Sequence, residues 1–303
     1  MGFTSDSKIF FIISCVLRKI NAKPKVGKII DENRERIVYN EKNGTKGRMP
    51  LNTSPLCDIK FFLLDMDGTI YLGDRLFDGT KEFLHHIRAS GGKYLFLTNN
   101  SSRSVQAYID HMASFGIAAT KDDFLTSVDA LCVYLDKHGY RGKRIYGFGT
   151  ASFRAQLQTA GFNVTDRLDD GIDALVCGFD TELTFQKLED ACILLGRGVD
   201  FIAANPDWVC PTSWGYVPDC GSVCEMLFRA TGRRPVFIGK PEPAMPLLAM
   251  EKYGYSPAQT ALIGDRLYTD IASGVRAGIT SVLVLSGEGT MADVEQSPEK
   301  PTY

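Results

Sequence analysis

Histidine and tryptophan are scarce in this chain, four and two among 303 residues. The histidines (85, 86, 111 and 138) do not stand beside paired cysteines, and the eight cysteines contain no C-x-x-C. The spacings of zinc ribbons and of dithiol redox motifs are therefore absent. Cys177 and Cys192 fall inside apolar segments, so the thiols read as buried and reduced, in a cytoplasmic setting, and not as a disulfide framework. Charge of one sign is also lacking: the formal net charge of −2 gives no electrostatic reason to bind nucleic acid. The apolar N-terminal run Ile9–Leu17 is too short to cross a bilayer, and no small-residue cleavage pattern follows it. Ile12-Ile13-Ser14-Cys15 is only loosely like a lipoprotein cleavage box, so neither export nor stable membrane association is expected.

What is present is the apolar and charged balance of an ordinary soluble globular protein, with length enough for two domains. Residues 18–50 are polar, rich in Lys, Arg, Glu and Asn, and without period. Residues 1–50 are therefore set apart as an arm without a fold of its own, and Met49 is an alternative start of the native chain.

The chain is organised around Ile59-Lys60-Phe61-Phe62-Leu63-Leu64-Asp65-Met66-Asp67-Gly68-Thr69-Ile70. A continuous apolar run reads as a buried parallel strand, and it ends in two carboxylates one residue apart. Open α/β sheets present ligands at the carboxyl ends of such strands. Two carboxylates this close repel each other unless a divalent cation or a raised pKa relieves them. Gly68 lets the backbone turn and leaves amides free for a ligand.

A helical pattern over 80–90, with Phe83, Leu84 and Ile87 on one face, leads to Tyr94-Leu95-Phe96-Leu97 and Thr98-Asn99. This is a βαβ unit with parallel strands, so Thr98 falls beside Asp65. Helices are expected at 103–116, 127–137, 150–160, 184–196 and 222–231, and strands at 144–148, 173–178 and 199–203, with a loop or hairpin at 208–221. From Pro235-Val236-Phe237-Ile238 the first pattern resumes as a core strand ending in Gly239-Lys240-Pro241. Thr260–Ile263 is another, ending in Gly264-Asp265, followed by a helix over 270–277 and a last strand over 280–285.

Asp65, Asp67, Thr98, Asn99, Lys240, Asp265 and Asp270 thus gather at four strand ends. Each has a plain alternative: Thr98-Asn99 as a helix cap, Lys240 as a surface lysine, Asp265 and Asp270 as helix-terminal charges. Taken together those alternatives require four coincidences. Carboxylates without histidine or thiolate suit Mg²⁺, and a lysine, a threonine hydroxyl and free amides suit a phosphoryl group.

Asp65-Met66-Asp67-Gly68-Thr69, Thr98-Asn99, Gly239-Lys240-Pro241 and Gly264-Asp265-x₄-Asp270 resemble, in order, the four motifs of the haloacid dehalogenase-like phosphohydrolases. Leu97–Ser101, Asn205-Pro206-Asp207 and Gly239–Pro243 resemble the NagD-like, 4-nitrophenylphosphatase branch. The resemblance implies an α/β fold: a Rossmann-like doubly wound parallel-sheet core, residues 51–103 with 234–303, and an inserted α/β cap domain of type IIA, residues 104–233. It implies Asp65 as nucleophile through an aspartyl-phosphate, Asp67 as general acid and base, and Lys240, Thr98, Asn99 and Gly68 around the phosphoryl group. Mg²⁺ would be held by Asp65, Asp67 through its carbonyl, and Asp265, with Asp270 orienting these groups from behind. Asn205, Pro206, Asp207 and the loop 208–221 are the cap residues expected to reach the crevice, with Asn205 on substrate, and caps of this type often pair into homodimers. The family continues with one more strand and helix beyond Tyr303, so a truncated sheet edge is expected here. The substrate would be a small phosphorylated metabolite: a sugar phosphate, nucleotide or aryl phosphate, or one of the phosphoglycolate or pyridoxal phosphate type. A non-catalytic regulator that binds a phosphometabolite on the same fold is the rival class.

Overall fold

Phe61 and Leu63 point into one apolar cluster and Phe62 and Leu64 into another. This is what a strand covered on both faces requires, and it explains the unbroken apolar run. In the computed structural model, which describes residues 38–40, 45–47, 58–212 and 214–303, the strand Phe61–Asp65 is the centre of a five-stranded sheet. The order is Thr280–Leu283, Thr260–Gly264, Phe61–Asp65, Lys93–Thr98, Phe124–Thr126, and all pairs are parallel. The chain first winds outward through Lys93–Thr98 and later returns to the other side through Thr260–Gly264. The switch point therefore falls at the carboxyl end of Phe61–Asp65. Asp65 is in register with Leu97, which sets Thr98 one residue past it on the same edge.

A second five-stranded parallel sheet has the order Val236–Phe237, Asp200–Ala203, Ala174–Cys177, Arg144–Phe148, Asn163–Thr165. One strand lies in a different sheet from the one its sequence suggested, and a second, not expected as a strand, joins the core sheet from within residues 104–233 expected in the cap. Val236–Phe237, expected in the core sheet, pairs with Ile202 and Ala203. Gly232, in the left-handed conformation, ends the helix Cys220–Thr231, and the short link after it leaves the strand beside that helix's own sheet. Phe124–Thr126 pairs instead with the core strand Lys93–Thr98. The helices Ser127–Lys137 and Ala244–Tyr253 lie between the sheets. Leu131, Leu135, Met245 and Ala249 join side chains of both sheets in one cluster.

Within the arm, Val38–Asn40 pairs antiparallel with Thr45–Gly47, so part of it is a strand pair where no structure was expected. The run Ile9–Leu17, its Ile12–Cys15 box and Met49 lie outside the described residues. At the other end Thr302 and Tyr303 donate backbone hydrogen bonds to the Ser281 carbonyl, and Leu283 donates to that of Tyr303 at 2.9 Å. The last residues thus run along the edge strand Thr280–Leu283.

Candidate active site

Asp65 ends its strand with a largely buried carboxylate, 13% exposed. Lys240 Nζ donates to Asp65 Oδ1 at 2.5 Å and to Asp270 Oδ1 at 2.6 Å. Burial opposes the Lys240 ammonium, but Asp270 and Asp65 outweigh it and hold its pKa above the ordinary lysine range. Burial pushes the Asp65 carboxyl up, Asp270 adds to this, and Lys240 opposes it. Three carboxylates share too little positive charge here, a deficit that a divalent cation would relieve.

The loop after Asp65 is folded by the Met66 carbonyl, which accepts from the amides of Thr69, Ile70 and Tyr71. Gly68 turns it with φ 88°. Its amide, expected to be free for a phosphoryl oxygen, donates to the Tyr71 carbonyl at 2.8 Å. The role of Gly68 is instead steric: a Cβ there would stand 2.4 Å from Asp265 Oδ2. Asp67 faces the crevice. Burial raises its pKa, against the opposing charges of Arg103, Arg266, His111 and Lys240. A carboxyl that keeps its proton longer is suited to protonate a leaving oxygen.

Asp265 accepts from the Glu288 amide at Oδ2, 2.8 Å, while its Oδ1 is buried without a partner. Burial and Asp270 push its pKa up to about 7. Oxygens of Asp65, Asp265 and Asp270 lie within 4.8 Å of one another. An orphaned buried carboxylate oxygen among hard donors fits Mg²⁺. Both Asp270 oxygens are already engaged, Oδ1 by Lys240 and Oδ2 by the Arg266 amide at 3.1 Å, which supports its reading as an orienting group. It stands on a π-turn, Leu267–Ile271, a distortion that recurs at functional sites.

Thr98 is buried, and its hydroxyl accepts from the Asn100 amide at 3.1 Å. The Asn99 side chain is committed to the protein. Its Oδ1 accepts from the Lys240 amide at 2.9 Å and its Nδ2 donates to the Lys240 carbonyl at 2.8 Å. Any contact of Asn99 with a phosphoryl group is left to its backbone. Asn205 is fully buried and does not line the crevice. It donates instead to Asp207 at 2.8 Å and Asp219 at 3.0 Å, two residues that do line it, so it supports the crevice wall and does not reach into the crevice.

The roof of the crevice comes from the inserted unit: Asp207, Val209, Cys210, Pro211 and Asp219. The cavity measures ≈ 30 Å³, room for about two water-sized groups. Burial and Asp207 push Asp219 up to about 7, and burial pushes the Cys210 thiol up to about 12. Trp208 and Trp214 are 51% and 75% exposed and stay outside. Sequence reasoning missed Arg103 and Arg266. Arg266 follows Asp265 directly and Arg103 follows the Thr98–Ser102 loop; that adjacency was the available signal.

A haloacid dehalogenase-like hydrolase family model matches residues 62–163, and a second, HAD-hydrolase-like model matches residues 237–303. An acid sugar phosphatase of Staphylococcus aureus is 32% identical over 244 residues, covering 80% of this chain and 93% of that protein. Among solved structures, the 4-nitrophenylphosphatase of Thermotoga maritima is 39% identical with a TM-score of 0.77, over 82% of this chain and 94% of its own. A glycerol phosphate phosphatase of Mycobacterium tuberculosis, solved with magnesium, is 31% identical with a TM-score of 0.76, over 81% and 74%.

Proposed function

The chain belongs to the haloacid dehalogenase-like hydrolases, in the NagD-like, 4-nitrophenylphosphatase branch, and is a phosphatase of that family; we propose that it hydrolyses small phosphomonoesters through an aspartyl-phosphate on Asp65. The observation that carries this reading is the Asp65–Lys240–Asp270 chain of short hydrogen bonds beside Asp67. Two aspartates and an ammonium around one small cavity suit a nucleophile, a proton donor and a balancing charge.

Asp65 Oδ attacks phosphorus, and the P–O bond to the leaving group breaks. Asp67 delivers its proton to the departing oxygen. It then takes one from the water that attacks phosphorus and releases Asp65. Lys240 balances charge on the phosphoryl oxygens, and Asp270 keeps its ammonium in place. The Thr98 hydroxyl faces the same cavity. Asp65, Asp265 and the Asp67 carbonyl would hold Mg²⁺, whose chemistry is to reduce the repulsion between an anionic nucleophile and an anionic phosphate.

The relatives' names point to sugar, glycerol and aryl phosphates, and substrates of that class are small phosphomonoesters. A homodimer through the inserted unit is supported by the exposed apolar side chains Phe185, Ile193 and Met226 on two of its helices. No helix among the described residues is long and apolar enough to cross a membrane. The six described cysteines are free thiols, which favours the cytoplasm.

The test is hydrolysis of p-nitrophenyl phosphate with and without Mg²⁺, for the native chain and for Asp65→Asn. Magnesium-dependent release of nitrophenol by the native chain alone supports the reading. Equal turnover by the variant, or none by either, removes it.

A further inference from the structure

Asp207 belongs to the inserted unit, yet two of the three donors to its carboxylate come from the core. Asn99 Nδ2 donates to Oδ2 at 2.6 Å and Arg266 Nη1 to Oδ1 at 2.9 Å; the third is Asn205 Nδ2 at 2.8 Å. Asp207 is 2% exposed. We propose that Asp207 is a positioning residue for phosphoryl transfer, acting on Lys240 through the Asn99 amide and on Arg266 directly. This assignment rests on the phosphatase reading above.

The Asn99 amide has two N–H groups and one oxygen to place. Its Nδ2 meets Asp207 and the Lys240 carbonyl, and its Oδ1 meets the Lys240 amide. An acceptor-only carboxylate at 207 forbids the flipped amide, because flipping would set oxygen against oxygen. Asp207, together with the Lys240 carbonyl, thereby fixes the Asn99 oxygen on the Lys240 amide. The backbone of Lys240 is pinned at both its N–H and its C=O, while its Nζ is drawn to Asp65 and Asp270. Gly239 makes the close approach feasible: a Cβ there would stand 2.6 Å from Asn99 Oδ1 and from the Ala204 carbonyl. On the other arm, Asp207 and Glu288 hold the Arg266 guanidinium, Glu288 at 3.0 Å. Arg266 is the residue next to Asp265, and without these anchors its charge is free to turn toward the catalytic carboxylates. A buried ion pair is a poor source of stability compared with apolar packing, so placement is the better account of this one.

The experiment measures p-nitrophenyl phosphate hydrolysis with Mg²⁺ in the full chain. The variants are Asp207→Ala, Asp207→Asn, Asn99→Ala and the Asp207→Ala/Asn99→Ala double, with melting temperatures taken alongside. Asp207→Ala is expected to lower kcat about 10- to 100-fold, with KM within about threefold, as displacement of a catalytic group does. Asn99→Ala should cost much less in the Asp207→Ala background than in the native one, because the relay is already broken. Asp207→Asn, which keeps the shape and one acceptor oxygen for Asn99 but loses the charge and the acceptor toward Arg266, should give an intermediate loss and serves in place of the alanine variant if that does not fold. A kcat within about twofold of native in both Asp207 variants, or an equal cost of Asn99→Ala in both backgrounds, overturns the assignment. An inert native chain removes the phosphatase reading and this assignment with it, and is told apart by the native control.

Discussion

Asp65 and Lys240 are 175 residues apart in sequence and 2.5 Å apart in the structure, carboxylate oxygen to ammonium nitrogen. Asp270 completes the group at 2.6 Å from the same nitrogen. Lys240→Ala should therefore act twice. Turnover should fall about 10²- to 10³-fold, the usual cost of losing one preorganised charge at a reacting oxygen. The fold should also lose roughly 3 kcal/mol, because two buried carboxylates are left without their cation. Steady-state kinetics and urea unfolding check both. A variant with lower stability and native turnover would limit Lys240 to a structural role.

Gly287 sits beside the Asp265 carboxylate from a loop with no motif of its own. A Cβ at this position would stand 1.9 Å from Asp265 Oδ2, and the neighbouring Glu288 amide holds that same oxygen. Gly287→Ala is expected to displace Asp265, raising the Mg²⁺ concentration for half-maximal activity at least about tenfold. Magnesium titration by calorimetry and by activity reads this directly; an unchanged affinity would show that the loop yields instead.

Much of this was legible in the chain. The apolar runs ending at Asp65 and Asp265 mark strands covered on both faces, and period-2 alternation into two clusters fixes which side chains face which layer. Asp65, Asp265 and Thr98 meet at core strand ends, as strand-end logic puts them, while Lys240 reaches them from a strand of the second sheet. Sheet membership was less legible, because it depends on pairing: Val236–Phe237 is as apolar as a core strand, but its register partners are Ile202 and Ala203. Side-chain commitments were illegible for the same reason. Asn99 and Asn205 look like ligand-binding amides in sequence, and only the geometry shows that their N–H groups are spent on Lys240, Asp207 and Asp219.

Asp219 offers a test by pH. It caps the helix Cys220–Thr231 and is buried, with a pKa pushed up to about 7 by burial and Asp207. A raised carboxyl favours the folded state at low pH, and that contribution is lost as pH rises from the ordinary carboxylate range, near 4, through about 7. Asp219→Asn keeps the cap without the charge. It should raise the melting temperature by roughly 5 °C at pH 8, and the gain should shrink as pH falls and vanish near pH 4. A gain that does not change with pH would contradict the assigned cause.

The account depends most on a covalent bond between phosphorus and Asp65, and Asp67→Asn is the way to see it. Without the proton acceptor that activates water, the phosphorylated intermediate outlives the native one. The measurement is peptide mass spectrometry of Asp67→Asn, quenched in acid during turnover of p-nitrophenyl phosphate. The predicted result is the mass of one phosphoryl group on the peptide that carries Asp65, absent from the Asp65→Asn control. Nitrophenol released by the native chain, with no phosphoryl group found on Asp65 in Asp67→Asn under the same quench, would contradict it.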